Sequence, residues 1–321
     1  MQTLSRNRFL VLGRAGMDLY ADPPGTRIEE AQVFAAHLGG SAANIAVALA
    51  RQGAAADLLT RVSDDAVGRF CLAQLEHYGI GRAHVGLTGG ENRTSLAVVE
   101  TRAVDCQSII YRNGAADFAL TEADVASIEF ARYGALVITG TALAQEGSRL
   151  ATLAALRSAI AAGIATVMDI DYRPYSWPSR DEASRTCLMA ARLCDIVVGN
   201  DEEFALMAGR IEDGLALARS LVAENNRIAV YKMGERGAVT VTAQDEATTG
   251  IYRTQALKPT GAGDSFMGSF LVALAKGRPL REAVLRGSAA AAMVVARVGC
   301  APAMPTGEEL DAFLATHPEP A

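Results

Sequence analysis

The stretch Lys258-Pro259-Thr260-Gly261-Ala262-Gly263-Asp264-Ser265-Phe266 carries a glycine-bearing turn straight into an apolar segment of helical period, residues 266–275. Free backbone N–H groups at a helix start, with the positive end of the helix dipole behind them, hold anions, and Gly261 and Gly263 let that backbone approach closely. A carboxylate there would repel a resting phosphate, so Asp264 needs another reason. A general base that takes the proton of an attacking hydroxyl supplies one. An N-cap followed by an ordinary loop uses the same residue types, so the stretch alone leaves both readings open.

A second glycine-bearing helix start, Gly39-Gly40-Ser41-Ala42-Ala43-Asn44, lies near the N-terminus. Gly39 and Gly40 give backbone access, and Asn44, one turn into the helix, offers a donor and an acceptor to a polyol. A plain helix start with Asn44 facing solvent fits equally. Asp18, closing the turn Gly13-Arg14-Ala15-Gly16-Met17-Asp18, could accept bonds from sugar hydroxyls, although aspartate is common in turns. Arg173 stands in Asp169-Ile170-Asp171-Tyr172-Arg173-Pro174-Tyr175-Ser176-Trp177, beside the only tryptophan, and Arg112 stands in Tyr111-Arg112-Asn113 with Asp117 following. Arginine forks suit carboxylates, and two on opposing elements point to an acidic sugar; each alone could pair with a structural carboxylate instead.

These residues need a scaffold, and the hydrophobic periodicity predicts one. Buried-strand patterns at 8–12, 57–62, 135–139, 165–170, 196–198 and 227–231 alternate with helical patterns at 41–52, 65–78, 149–162, 180–193 and 202–208. Such an α/β series implies a mostly parallel central sheet flanked by helices on both faces, with the loops after the strands gathered on one ligand-binding edge. Residues 17–38 break the rhythm, while 95–100 and 107–111 read as paired strands, so the segments near 17–38 and 93–113 could form a small β lid. A decorated loop hairpin is the alternative. No repeat or linker marks a second domain, and one domain over residues 1–321 is expected.

The formal charge of −6 and pI near 5.4 argue against nucleic acid as the main partner. Five cysteines without a C-x-x-C pair and four scattered histidines lack metal-ligand spacing and suit a reduced, cytoplasmic protein. No charged-then-apolar leader or long apolar span is visible, so neither secretion nor a membrane anchor is expected. The first turn lacks G-x-G-x-x-G, which weighs against a dinucleotide-dependent oxidoreductase.

Taken together and in order, Gly39 to Asn44 and Thr260 to Asp264 resemble the two signatures of the ribokinase-like (PfkB) carbohydrate kinases, and the likeness covers nearly the whole chain. The resemblance implies a ribokinase-like α/β fold, ATP as phosphoryl donor and Mg2+ as cofactor. It makes Asp264 the base that deprotonates a sugar hydroxyl, with Gly261, Ala262 and Gly263 as the anion hole. Asn200-Asp201-Glu202-Glu203 is similar to the family's N-x-x-E motif, which would put Asn200 near the nucleotide phosphates and Glu203 on the magnesium-water shell. Without the other motifs, Glu203 reads as a solvent-facing first-turn acid. Lys232-Met233-Gly234-Glu235-Arg236-Gly237 resembles the nucleotide loop, with Lys232, Gly234 and Gly237 at the nucleotide.

Within the family, Gly13-Arg14 with Asp18-Leu19-Tyr20, the run Tyr172-Arg173-Pro174, Thr139-Gly140-Thr141-Ala142-Leu143 and Lys258-Pro259 look like the branch that phosphorylates 5-dehydro-2-deoxy-D-gluconate in inositol catabolism. Asp171 and Ser176 depart from the 2-keto-3-deoxygluconate branch. Kinases of that acid, of fructose or of ribose are the neighbouring alternatives, and a sugar-binding regulator without catalysis is the alternative from another class. Many members carry an acid at the position of Lys258, where it helps bind an activating monovalent cation. A lysine there suggests a tethered ammonium in place of the ion and no monovalent cation requirement; a solvent-facing lysine with the cation site absent is the other reading. Lid strands that pair between subunits would make a homodimer.

Overall fold

The computed structural model describes every residue except 1–3, 5, 226 and 321. The chain opens with β1 (Arg8–Leu12), β2 (Gly16–Asp22), β3 (Val33–Gly39) and α1 (Ser41–Arg51), and continues through β4 (Ala55–Ser63), α2 (Ala66–His77), β5 (Gly81–Thr88), β6 (Ser95–Val99) and β7 (Ser108–Tyr111). Next come α3 (Glu122–Ala126), β8 (Ala135–Thr139), α4 (Glu146–Ala161), β9 (Ala165–Asp169), α5 (Arg180–Ala191), β10 (Ile196–Asn200), α6 (Asp201–Ala208) and α7 (Gly214–Glu224). The last part forms β11 (Ile228–Lys232), β12 (Ala238–Thr242), β13 (Glu246–Thr249), α8 (Ala262–Ala275), α9 (Leu280–Val295) and α10 (Gly307–Thr316).

Nine strands make one sheet in the order β13-β12-β11-β10-β9-β8-β1-β4-β5. From β11 to β5 all neighbours run parallel, and β12 and β13 finish one edge antiparallel. Alternation along β1 shows why both faces are covered: Phe9 and Val11 enter a core with Ile45 of α1 and Phe270 of α8, while Leu10 and Leu12 enter a second core with Leu156 of α4 and Phe204 of α6. An uninterrupted apolar run such as Phe9-Leu10-Val11-Leu12 suits only a strand buried on both sides.

A second sheet, ordered β3-β2-β6-β7, is built from the segments that break the helical rhythm. It is a four-stranded sheet rather than a single hairpin, because β2 pairs with β3 antiparallel and with β6 parallel. Gly16, Asp18 and Tyr20 are buried on one face together with Ser95, Ala97 and Val99, whereas Val33, Phe34 and Tyr111 stay exposed.

Two differences from the periodicity matter for the site. Helix α8 begins at Ala262 and not at Phe266, because Gly261 takes the left-handed conformation (φ +85°) as its N-cap. Five elements besides the β12–β13 pair were not evident as periodic segments: α3, β5, α7, α9 and α10. β5 is the far edge strand and is largely half-buried or exposed, so its sequence lacks a clean alternation.

Candidate active site

Parallel strands deliver their C-terminal ends to one edge, and the candidate residues arrive there in strand order. Lys232 ends β11, Asn200 ends β10, Asp169 ends β9, Thr139 ends β8 and Gly13 follows β1. The N-terminal ends of α1 and α8 meet the same edge, since Ser41 and Asn44 of α1 both reach Asp264 of α8.

Asp264 lies in the third helical position, so the N-cap reading does not hold: Gly261 is the cap and no side chain caps the helix. Its carboxylate instead accepts from Ser41 Oγ (2.8 Å) at Oδ1 and from Asn44 Nδ2 (3.0 Å) at Oδ2. Burial and the neighbouring Asp171 push the Asp264 pKa up, against the two hydrogen bonds and the charge of Arg173. The residue nevertheless keeps intermediate exposure at the strand-end edge. The first intrahelical bond runs from Ser265 N–H to the Gly261 carbonyl (3.0 Å), which leaves the N–H groups of residues 262–264 directed out of the helix end. Gly261 is needed for its positive φ and because a Cβ there would stand 3.0 Å from Cys300 Sγ.

Asn44 is buried and does not face solvent; its Nδ2 is spent on Asp264, and its Oδ1 is left without a partner. Asp18 is buried beneath the second sheet, and burial pushes its pKa to about 6 against the charges of Arg14 and Lys258. Gly39 packs flat on it: a Cβ at Gly39 would fall 1.9 Å from Asp18 Oδ1. Gly40 is the N-cap of α1.

More acids converge than the sequence singled out. Asp169 is buried at the end of β9 and is pushed up to about 8 by burial, with Lys232 opposing and Glu203, Asp171 and Asp264 adding to the rise. Asp171 is buried, accepts from Thr141 Oγ1 (2.9 Å) and adopts a positive φ of 36°. Glu203 is buried, contrary to the solvent-facing reading; Oε2 accepts from Asn200 N–H (2.8 Å) and Oε1 from Tyr172 N–H (3.2 Å). Asn200 completes the capping box by accepting from Glu203 N–H (2.8 Å). No three of the described acids, cysteines or histidines are close enough to cage a metal ion. The buried acids that converge around Asp169 nonetheless fit a divalent cation that takes most ligands from phosphate and water.

On the nucleotide side, Lys232 brings its Nζ to 3.5 Å from the position a Gly263 Cβ would take, beside the anion-binding helix start. Gly234 and Gly237 bound the short turn from β11 into β12, which Arg236 ties to Asp201 of α6 (3.0 Å).

The arginines differ in what they touch. Arg173 is half-exposed and its NH2 meets Asp171 Oδ1 at 2.9 Å. Arg112 is buried, paired with Asp117 and stacked over Phe118 (4.1 Å to the ring centre), with Ser176 Oγ at 3.4 Å. Lys258 is wholly buried, which removes the solvent-facing reading; its Nζ donates to the Thr260 carbonyl at 2.5 Å, and burial lowers its pKa.

Ser41, Asp169 and Asp171 were within the quoted motifs but had no assigned role. An acid directly after an apolar strand run, as in Thr166-Val167-Met168-Asp169, is the signal that marks Asp169.

The pattern of the pfkB family carbohydrate kinases matches residues 6–307. A 5-dehydro-2-deoxygluconokinase of Photobacterium profundum is 40% identical over 315 residues, 96% of this chain and 95% of the relative. Another of that name, from Geobacillus kaustophilus, is 36% identical over 314 residues, 96% of this chain and 94% of the relative. Among solved structures, a double-mutant fructokinase of Vibrio cholerae O395 with fructose, ADP and potassium ion bound superposes with a TM-score of 0.84 at 26% identity, over 97% of this chain and 99% of that one. A family match over nearly the full length, on a fold that brings Asp264 to the anion-binding end of a helix, means that this chain belongs to the pfkB family of carbohydrate kinases.

Proposed function

We propose that this kinase transfers the γ-phosphoryl group of ATP to the 6-hydroxyl of 5-dehydro-2-deoxy-D-gluconate. The observation that carries the substrate assignment is the near full-length likeness to relatives of that name at 40% and 36% identity.

The proposed chemistry follows from the residues at the strand ends. Asp264 takes the hydroxyl proton as the oxygen attacks in line; its raised pKa makes it a stronger acceptor than an ordinary aspartate. Ser41 and Asn44 aim its two oxygens. The outward N–H groups of the α8 start, with Gly261, Ala262 and Gly263 giving close approach, stabilise the charge on the transferring group. Lys232, Gly234 and Gly237 serve the nucleotide, with Asn200 near its phosphates. Asp169 and Glu203 would hold magnesium, Glu203 through water, and the bound ion would neutralise phosphate charge. Asp18, Gly39, Gly40 and Asn44 border the sugar, and Arg112 and Arg173 flank its acidic end.

The second sheet acts as a lid within one kinase domain in this reading, with its buried face turned to Asp18. Its outer face, with Phe34, Ile109 and Tyr111 exposed, suits pairing of lids in a homodimer. Lys258 replaces the monovalent ion: its buried ammonium already holds the Thr260 carbonyl, next to the glycine turn, so potassium is not required. Work in the cytoplasm is supported by five cysteines, four of them buried, none of which forms a disulfide among the described residues.

A panel assay with coupled ADP detection tests the substrate. The deoxy-keto acid should have the highest kcat/KM, above 2-keto-3-deoxygluconate, fructose and ribose. A clear preference for fructose would overturn the substrate while leaving the base in place.

A further inference from the structure

The strand-end edge is crowded with acids, so an anionic sugar needs a cation whose charge is not already taken. Arg173 is paired with Asp171, and Arg112 with Asp117. Lys258 is turned to a carbonyl, and Lys232 sits over the Phe266 ring (5.5 Å) within reach of Asp169. Arg14 is different. Among the described residues it has no carboxylate partner; its NH1 donates to Ser95 Oγ at 2.9 Å, which leaves most of its five donors free.

Its position is also suited to a ligand. Arg14 follows β1 at the ligand-binding edge and is half-buried. A Cβ on Gly16 would stand 2.9 Å from Arg14 NH1 and 2.8 Å from Ser95 Oγ, so the guanidinium lies against the buried face of the second sheet. Asp18 is on that same face two residues along, about 6.7 Å by strand rise. The charges of both Arg14 and Asp264 reach Asp18, although Arg14 and Asp18 form no ion pair. Tyr175, which is exposed, feels Arg14 together with Arg173 and Arg112.

We propose that Arg14 is the specificity-determining residue that reads the substrate carboxylate, with Ser95 fixing its fork. Arg173 and Arg112 then position the surrounding Asp171 and lid segments. The proposal rests on the sugar-acid reading above. A planar fork with free donors can pair with a carboxylate through two parallel bonds.

The test compares wild type, Arg14→Gln and Arg14→Lys on 5-dehydro-2-deoxy-D-gluconate and on its methyl ester, which keeps the skeleton and removes the charge. Loss of a charge-assisted hydrogen-bonded pair should raise the KM of the acid by about 10- to 100-fold in Arg14→Gln. The KM values of the ester and of ATP should stay unchanged, and Arg14→Lys should recover part of the loss. Equal losses on acid and ester, or an unchanged KM for the acid, would overturn the proposal. If Arg14→Gln shows no cooperative melt, the acid-to-ester ratio of Arg14→Lys decides: a ratio equal to that of wild type refutes the role of the fork. A wild type that does not prefer the acid over its ester refutes the substrate reading and Arg14 with it. A wild type that prefers the acid beside an Arg14→Gln that keeps the same preference refutes Arg14 alone.

Discussion

Asp264→Asn separates the base from its frame, because the structure allows the substitution to keep its shape. Ser41 can still donate to the remaining oxygen, and Asn44, whose Oδ1 has no partner, can turn its amide to accept from the new Nδ2. What is lost is the proton acceptor, typically worth about 10²- to 10⁴-fold, or about 2.7–5.4 kcal/mol of barrier. The variant also removes a charge that burial and Asp171 disfavour. Its melting temperature should therefore equal or exceed that of wild type above the titration of Asp264. The assay is single-turnover phosphoryl transfer with saturating ATP, beside a melt and a nucleotide titration. Near-normal turnover removes Asp264 from the base role, and a lowered melting temperature with weakened ATP binding would mean that the loss is structural.

Asn44→Ala removes one of the two bonds to the Asp264 carboxylate. The acidic limb of the pH–kcat profile should move to higher pH, and an unmoved limb would contradict the positioning role. Arg112→Ala should destabilise by about 3–5 kcal/mol in denaturant titration, because it strands buried Asp117. A loss under about 1 kcal/mol would show that Asp117 finds water or another partner. Asp18 and Asp169 are raised to about 6 and about 8, so the folded chain keeps protons that the unfolded chain loses near pH 4. In the absence of magnesium, the contribution of these two acids to stability should be full below about pH 4 and be lost as pH rises through 6 and then 8, which lowers stability over that window. Stability that instead rises over this window would refute the buried-acid description. Turnover should not respond to potassium at matched ionic strength; several-fold activation would remove Lys258 as the substitute.

The β1 run Phe9-Leu10-Val11-Leu12 and the helix-period segments were legible because burial on both sheet faces imposes them on the sequence. Asp264 was legible for a different reason: few roles explain an acid among glycines at a helix start. Burial was much less legible. A lysine, a first-turn glutamate and a helix asparagine have ordinary surface readings, yet Lys258, Glu203 and Asn44 are buried through partners distant in sequence or through backbone groups. Ser41 escaped notice because its partner lies 223 residues away. The four-stranded form of the second sheet was hidden similarly, since the parallel β2–β6 pairing joins segments separated by β3, α1, β4, α2 and β5.

The distribution of charge also bears on how one fold serves different sugars. Asp171 binds Thr141 and Arg173, and Asp117 binds Arg112, so two arginines that suggested carboxylate recognition are drawn first to the protein's own carboxylates. A substrate carboxylate must displace or share those pairs, at the cost of leaving an acid less well compensated. At Arg14 no such exchange is needed, because a hydroxyl from Ser95 orients the fork without neutralising it. Lys258 is likewise without a carboxylate ion pair among the described residues, its charge being directed to the Thr260 carbonyl. If Arg14 reads the substrate carboxylate, specificity in this site is set less by how many cations surround the sugar than by which of them are not locked in an ion pair.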